Sequence, residues 1–104
     1  MGRKLEIRQD LQRHGPGAFS VIVSVTEGEV ELSKEFTYYK TNKIFPLYKS
    51  LIATLRNYRD VDVMLHTDFP RLSREIKNIE KAERPLSIML LELLTDNNIN
   101  IEVK

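Results

Sequence analysis

The alternation of apolar and polar residues changes period along the chain, and those changes mark its elements. In "AFSVIVSV" (18–25) Phe19, Val21, Val23 and Val25 share one face and Ile22 sits on the other, the pattern of a strand. "TEGE" (26–29) reads as a hairpin turn. In "VELSKEFTYY" (30–39) Val30, Leu32, Phe36 and Tyr38 alternate with Glu31, Ser33, Glu35 and Thr37, as in a half-exposed antiparallel strand. Ahead of these, "KLEIRQD" (4–10) predicts a short strand and "HGPG" (14–17) a loop.

The period then lengthens. Leu47, Leu51, Leu55 and Tyr58 recur at helical spacing, and Tyr48 and Ile52 widen the stripe. Pro46 suits the first helical turn, where its missing N–H costs little. "VDVMLH" (61–66) is a β-rich run. A second helix follows Thr67-Asp68, with Pro70 in its first turn and Leu72, Ile76 and Ile79 as its buried stripe. A third opens at Pro85, fills one side with Leu86, Met89, Leu90, Leu93 and Leu94, and stops at "TDNN" (95–98). "INIEVK" (99–104) alternates as a last strand. The order β-β-β-α-β-α-α-β predicts an α/β domain with a mixed five-stranded sheet. The first three strands are antiparallel; the fourth and fifth join in parallel, because helical crossovers separate them. The helices are expected on the faces of the sheet.

Composition narrows the class. At 104 residues, a single domain (1–104) with one core is expected. A hydrophobic share of 41% and a charged share of 30% are those of a folded globular chain rather than a disordered one. A net charge of +1 leaves any nucleic-acid role to local clustering of cations. Without cysteine there is no disulfide framework or thiolate site. The longest apolar stretch, "SIMLLELL" (87–94), is too short to cross a bilayer and contains Glu92, and the N-terminus lacks the apolar core of a signal peptide. These features predict a soluble, cytoplasmic protein with no membrane partner.

Several side chains have two readings. Asp68, just before Pro70, has the character of a helix N-cap. The second helix carries Arg71, Arg74, Lys77 and Lys81; the last three fall opposite Leu72, Ile76 and Ile79 as an exposed basic ridge. Such a ridge suits a phosphate backbone or an acidic protein partner. Its plainer reading is a solvated face balanced by Glu75, Glu80 and Glu83. A second basic set is Arg3, Lys4, Arg8 and Arg13, in the first strand and loop, and His14 in the "HGPG" loop could touch a phosphate. His14 and His66 are the only histidines, so neither a zinc site nor a nucleophilic triad is supported. There is no Gly-rich phosphate cradle.

Three stretches together resemble the ribonuclease H-like superfamily. "LEIRQDLQRHGPGAFSVIV" (5–23) is similar to that family's first strand, ending in Asp, with a Gly-containing loop and second strand; Asp10 takes the acidic position. "TNKIFPLYKSLIATL" (41–55) resembles the phrase that opens the family's first helix. "VDVMLHTDFPRL" (61–72) resembles its fourth strand, which ends in Thr-Asp, with Asp68 at the acidic position. The resemblance implies the ribonuclease H-like fold. It also implies a chemistry in which converging carboxylates hold two Mg²⁺ or Mn²⁺ ions about 3.5–4 Å apart against a phosphodiester. The pattern is broken here. Pro46 stands where the family has a helix Glu, and the 104 residues end after the last strand, without the family's C-terminal helix and its fourth carboxylate. A degenerate, truncated member is therefore expected, with Asp10 and Asp68 as vestigial catalytic and metal positions able to hold one Mg²⁺ weakly. Glu6 and Asp62 share their strand parity and are secondary candidates. The expected function is non-catalytic binding of nucleic acid or a protein partner. The alternative is a divergent Mg²⁺-dependent nuclease with an incomplete carboxylate set. A domain without the last helix is also expected to expose apolar sheet surface, which a second copy would cover as a homodimer.

Overall fold

The computed structural model describes residues 2–104. Its elements run β1 (Arg3–Gly15), β2 (Ala18–Glu27), β3 (Val30–Tyr38), α1 (Ile44–Leu55), β4 (Val61–His66), α2 (Pro70–Lys77), α3 (Pro85–Asp96) and β5 (Asn100–Val103). A short 3-10 turn at Ile79–Lys81 links α2 to α3. The strands form one sheet in the order β3-β2-β1-β4-β5. β1–β2 and β2–β3 pair antiparallel; β1–β4 and β4–β5 pair parallel. The mixed sheet and its three helices are those expected from the alternation pattern.

Period two decides which face is covered. Leu5, Ile7, Val21, Val23, Val25, Val61, Val63 and Leu65 all point to one face and are buried there. Leu47, Leu51 and Leu55 of α1, Leu72 and Ile76 of α2, and Leu90 and Leu94 of α3 complete the same core. All three helices thus pack on one face rather than on both. The other face is open and polar: Lys4, Glu6, Arg8, Asp10 and Gln12 of β1 are exposed on it, with Asp62 and Glu102 beyond them. The uncovered face is polar along β1, where every second residue is charged or polar, and its apolar side chains are Ile22 beside Asp10 and Met64 beside Glu6, both half-buried.

Three local expectations change. β1 is no short strand: it runs thirteen residues to Gly15, so His14 and Gly15 belong to it and only Pro16-Gly17 turn. Gly17, at φ +70, lies in the left-handed region that glycine adopts freely, and a Cβ there would meet the backbone of Lys40 and Thr41. In β3, Val30 and Leu32 are 61% and 62% exposed, because α1 covers only the Phe36 end of the strand. Ile79 leaves the α2 stripe for the 3-10 turn and is half-buried.

Candidate functional site

The parallel register of β1 and β4 organises the site. Pairing runs from Arg3 beside Val61 to Arg8 beside His66. The pairing stops there, with Asp10 two residues beyond it on β1 and Asp68 two residues beyond it in the segment that leads to α2. Both are exposed, and Asp10 points to the open face with Glu6 and Arg8. On the covered face the neighbouring residue is Gln9, whose Nε2 donates to the Leu47 carbonyl at 2.8 Å and to Ser50 Oγ at 3.1 Å. The first turn of α1 therefore meets β1 at this level, and Pro46 is buried in that turn. Gln9 Oε1 is buried there without a partner. Gln9 was not singled out from the sequence, since a lone Gln in a strand carries no signal of what it will face.

The donor set does not fit a two-metal centre. Gln9 and the buried Pro46, where α1 meets β1, carry no carboxylate. Among the described residues no group of three or more His, Cys, Asp or Glu side chains is placed to hold a metal ion. The secondary candidates are engaged elsewhere. Glu6 Oε1 lies 2.8 Å from His66 Nε2. That hydrogen bond, aided by Arg8 and Lys104, holds the Glu6 carboxyl below the usual carboxylate range against the opposing effect of burial. Asp62 accepts from Asn100 Nδ2 at 3.0 Å.

Asp68 is not the cap of α2. The N-cap position is Phe69, in extended conformation (φ −100, ψ 104), and no side chain caps the helix. Pro70 at the first helical position forces the residue before it out of the helical region, so the cap falls on Phe69 and Asp68 stands one residue too early. The local bond is made by Thr67, whose Oγ1 accepts from Phe69 N at 3.2 Å.

The basic residues divide. Arg71 is committed inward: its Nε donates to Glu75 Oε2 at 2.8 Å, and Tyr48 Oη donates to Glu75 Oε1 at 2.6 Å. Burial pushes the Glu75 carboxyl up, but Tyr48, Arg71 and Arg84 outweigh it and leave it below its ordinary value. Burial and Glu75 push the Tyr48 hydroxyl strongly up. Arg74, Lys77 and Lys81 are exposed and make no ion pair among the described residues. Lys77 and Lys81 line a groove of about 540 Å³ between α2, the 3-10 turn and β5. Arg13 and His14 lie elsewhere, near the tip of the β1–β2 hairpin, which extends beyond the end of β4. His14 Nε2 sits 2.6 Å from Ser20 Oγ, which lies 3.3 Å from Thr37 Oγ1.

No family model and no curated protein matches the sequence. Solved structures do match its fold. The N-terminal RNase H domain of a Mycobacterium tuberculosis protein superposes with a TM-score of 0.74 at 18% identity, over 99% of this chain and 83% of that one. RNase H1 from the archaeon Halobacterium salinarum gives 0.68 at 18% identity, over 97% and 83%. LC11-RNase H1, isolated from compost by a metagenomic approach, gives 0.70 at 18% identity, over 98% and 84%. The same enzyme in complex with an RNA/DNA hybrid gives 0.67, over 96% and 84%. The chain has a ribonuclease H-like fold.

Proposed function

We propose that this chain is a non-catalytic ribonuclease H-like module that binds double-stranded nucleic acid, through the ridge of Arg74, Lys77 and Lys81. The observation that carries the reading is the contrast between two sites on one fold. Among the described residues no three metal-ligating side chains come together, whereas three cations on α2 and the 3-10 turn stay exposed and make no ion pair. Phosphates are held by point charges that need little convergence, while a two-ion centre needs several preset carboxylates. An RNA/DNA hybrid is the natural first probe, since a structure of similar fold holds one. Acidic protein partners would use the same cations, and a silent hybrid would direct attention to them.

A second reading, a divergent Mg²⁺-dependent nuclease, rests on Asp10 and Asp68, which each follow the paired stretch of β1 and β4 by two residues. Cleavage separates the two. Labelled hybrid is incubated with the protein and Mg²⁺ or Mn²⁺, and its binding is followed by fluorescence anisotropy. The proposal expects binding without cleavage, weakened at least about tenfold when Arg74, Lys77 and Lys81 are all replaced by Ala. Metal-dependent cleavage that disappears in Asp68→Asn would overturn it.

A further inference from the structure

β3 is an edge strand, and it carries three of the large apolar residues most exposed on this chain or beside its end: Val30, Leu32 and Tyr39. The hairpin that precedes it fixes which backbone groups are free. Glu27 pairs with Val30 across the two-residue turn Gly28-Glu29, and Gly28 has the φ of +60 that such a turn takes at its first position. A pair flanking a two-residue turn exchanges both ladder hydrogen bonds. Val30, Leu32, Lys34, Phe36 and Tyr38 therefore bond inward to β2, while Glu31, Ser33, Glu35 and Thr37 direct their N–H and C=O outward. Nine residues of open ladder bordered by exposed Val and Leu form a template for another strand.

We propose that β3 pairs antiparallel with β3 of a second copy, around a two-fold axis at Lys34, joining the two sheets into one of ten strands. The occupant follows from self-complementarity. In this register Leu32 faces Phe36 and Val30 faces Tyr38, each twice, on the side of the helices. On the opposite side Glu31 faces Thr37 and Ser33 faces Glu35, again twice. One like-charge pair remains, Lys34 against its mate, and each Lys34 ammonium already leans along its own strand, 5.2 Å from the centre of the Phe36 ring. Moving the axis to Ser33 would set Glu31 against Glu35 twice, and like charges directly opposite are destabilising. Moving it to Leu32 would cut the ladder to five residues, and moving it to Glu35 would leave Val30 outside it. α1 leaves this corner of the sheet uncovered: a groove of about 260 Å³ lies between Leu32 and Phe36 on one side and Ala53, Asn57 and Tyr58 on the other.

The absence of cysteine makes the register directly testable. In the proposed pairing residue 34 lies opposite itself at a non-hydrogen-bonded position, where Cα atoms are about 4.5 Å apart, within disulfide reach. Lys34→Cys should thus form a disulfide-linked dimer under mild oxidation, at least about tenfold faster than Ser33→Cys or Glu35→Cys, whose copies are offset along the strands. Sedimentation of the native chain should show a concentration-dependent dimer below about 1 mM, an ordinary range for a weak contact. Lys34→Ala should tighten it by removing the one repulsive pair. Leu32→Lys, at an exposed position, should leave the melting temperature in place and weaken dimerisation at least about tenfold. A native chain monomeric throughout that range, a dimer indifferent to Leu32→Lys, or cross-linking as fast through position 33 or 35 would overturn the proposal.

Discussion

At the residue scale, Glu75 shows how a charged group on a helix is spent on the fold rather than on a ligand. It accepts from Tyr48 of α1 and from Arg71 of its own helix, tying two elements together. Hydrogen bonds to a charged group are worth about 1.5–3 kcal/mol net. Glu75→Gln should therefore lower stability by about that amount in urea unfolding, and Tyr48→Phe by less, because Arg71 remains. The carboxyl also sets a pH dependence. Its folded-state value lies below the ordinary 4.5, so its contribution is present above that pH and is lost as the pH falls through the lower folded value. The stability of the native chain should decline on that acid side more steeply than that of Glu75→Gln, and matched unfolding curves in acid and at neutrality would show it. Glu6 and Glu27 are shifted the same way, but their pairs are exposed and their share is small. The pairing of Glu75 was not legible in the sequence. Helical spacing set Arg71 apart from the ridge of Arg74, Lys77 and Lys81, but only the packing of α2 on α1 shows that Arg71 and Tyr48 share one carboxylate.

At the scale of elements, the period of the pattern was sufficient to order all eight, and it failed where an element's end depends on its neighbour. The start of α2 is the clearest case. Asp before Pro suggested a cap, yet the restriction that Pro70 places on Phe69 moves the cap one residue along and leaves the local bond to Thr67. The two residues should separate on mutation. Thr67→Ala is expected to cost about 0.5–1.5 kcal/mol, the worth of one hydrogen bond. Asp68→Ala should stay within about 0.5 kcal/mol, as a surface change away from special features does. Thermal melts of both variants at neutral pH check the order; an Asp68→Ala loss larger than that of Thr67→Ala would restore the capping role. β3 teaches the same lesson differently. Alternation identified the face that Val30 and Leu32 share with Phe36, but it held no information on how far α1 reaches along the strand.

At the scale of the molecule, the ridge of Arg74, Lys77 and Lys81 stands apart from the charged open face, exposed and without an ion pair among the described residues. That position was readable from helical spacing. The separation of Arg13 and His14 from the ridge was not, because it depends on a hairpin that runs past β4. The separation gives the binding proposal a quantitative form. Each phosphate contact contributes a slope of about −0.9 to the dependence of log affinity on log salt for a duplex. Contact through Arg74, Lys77 and Lys81 alone predicts a slope of about −2.7, and each replacement by Ala should reduce it by about 0.9. Arg13→Ala, on the far hairpin, should leave both the slope and the affinity in place. Anisotropy titrations across a range of KCl concentrations measure all five proteins in one format. A slope that survives loss of the ridge but collapses in Arg13→Ala would move the nucleic acid to the hairpin end of the sheet. There it would lie beside Asp10 and Asp68 rather than along α2, and the two carboxylates would again have to be explained as part of a substrate groove.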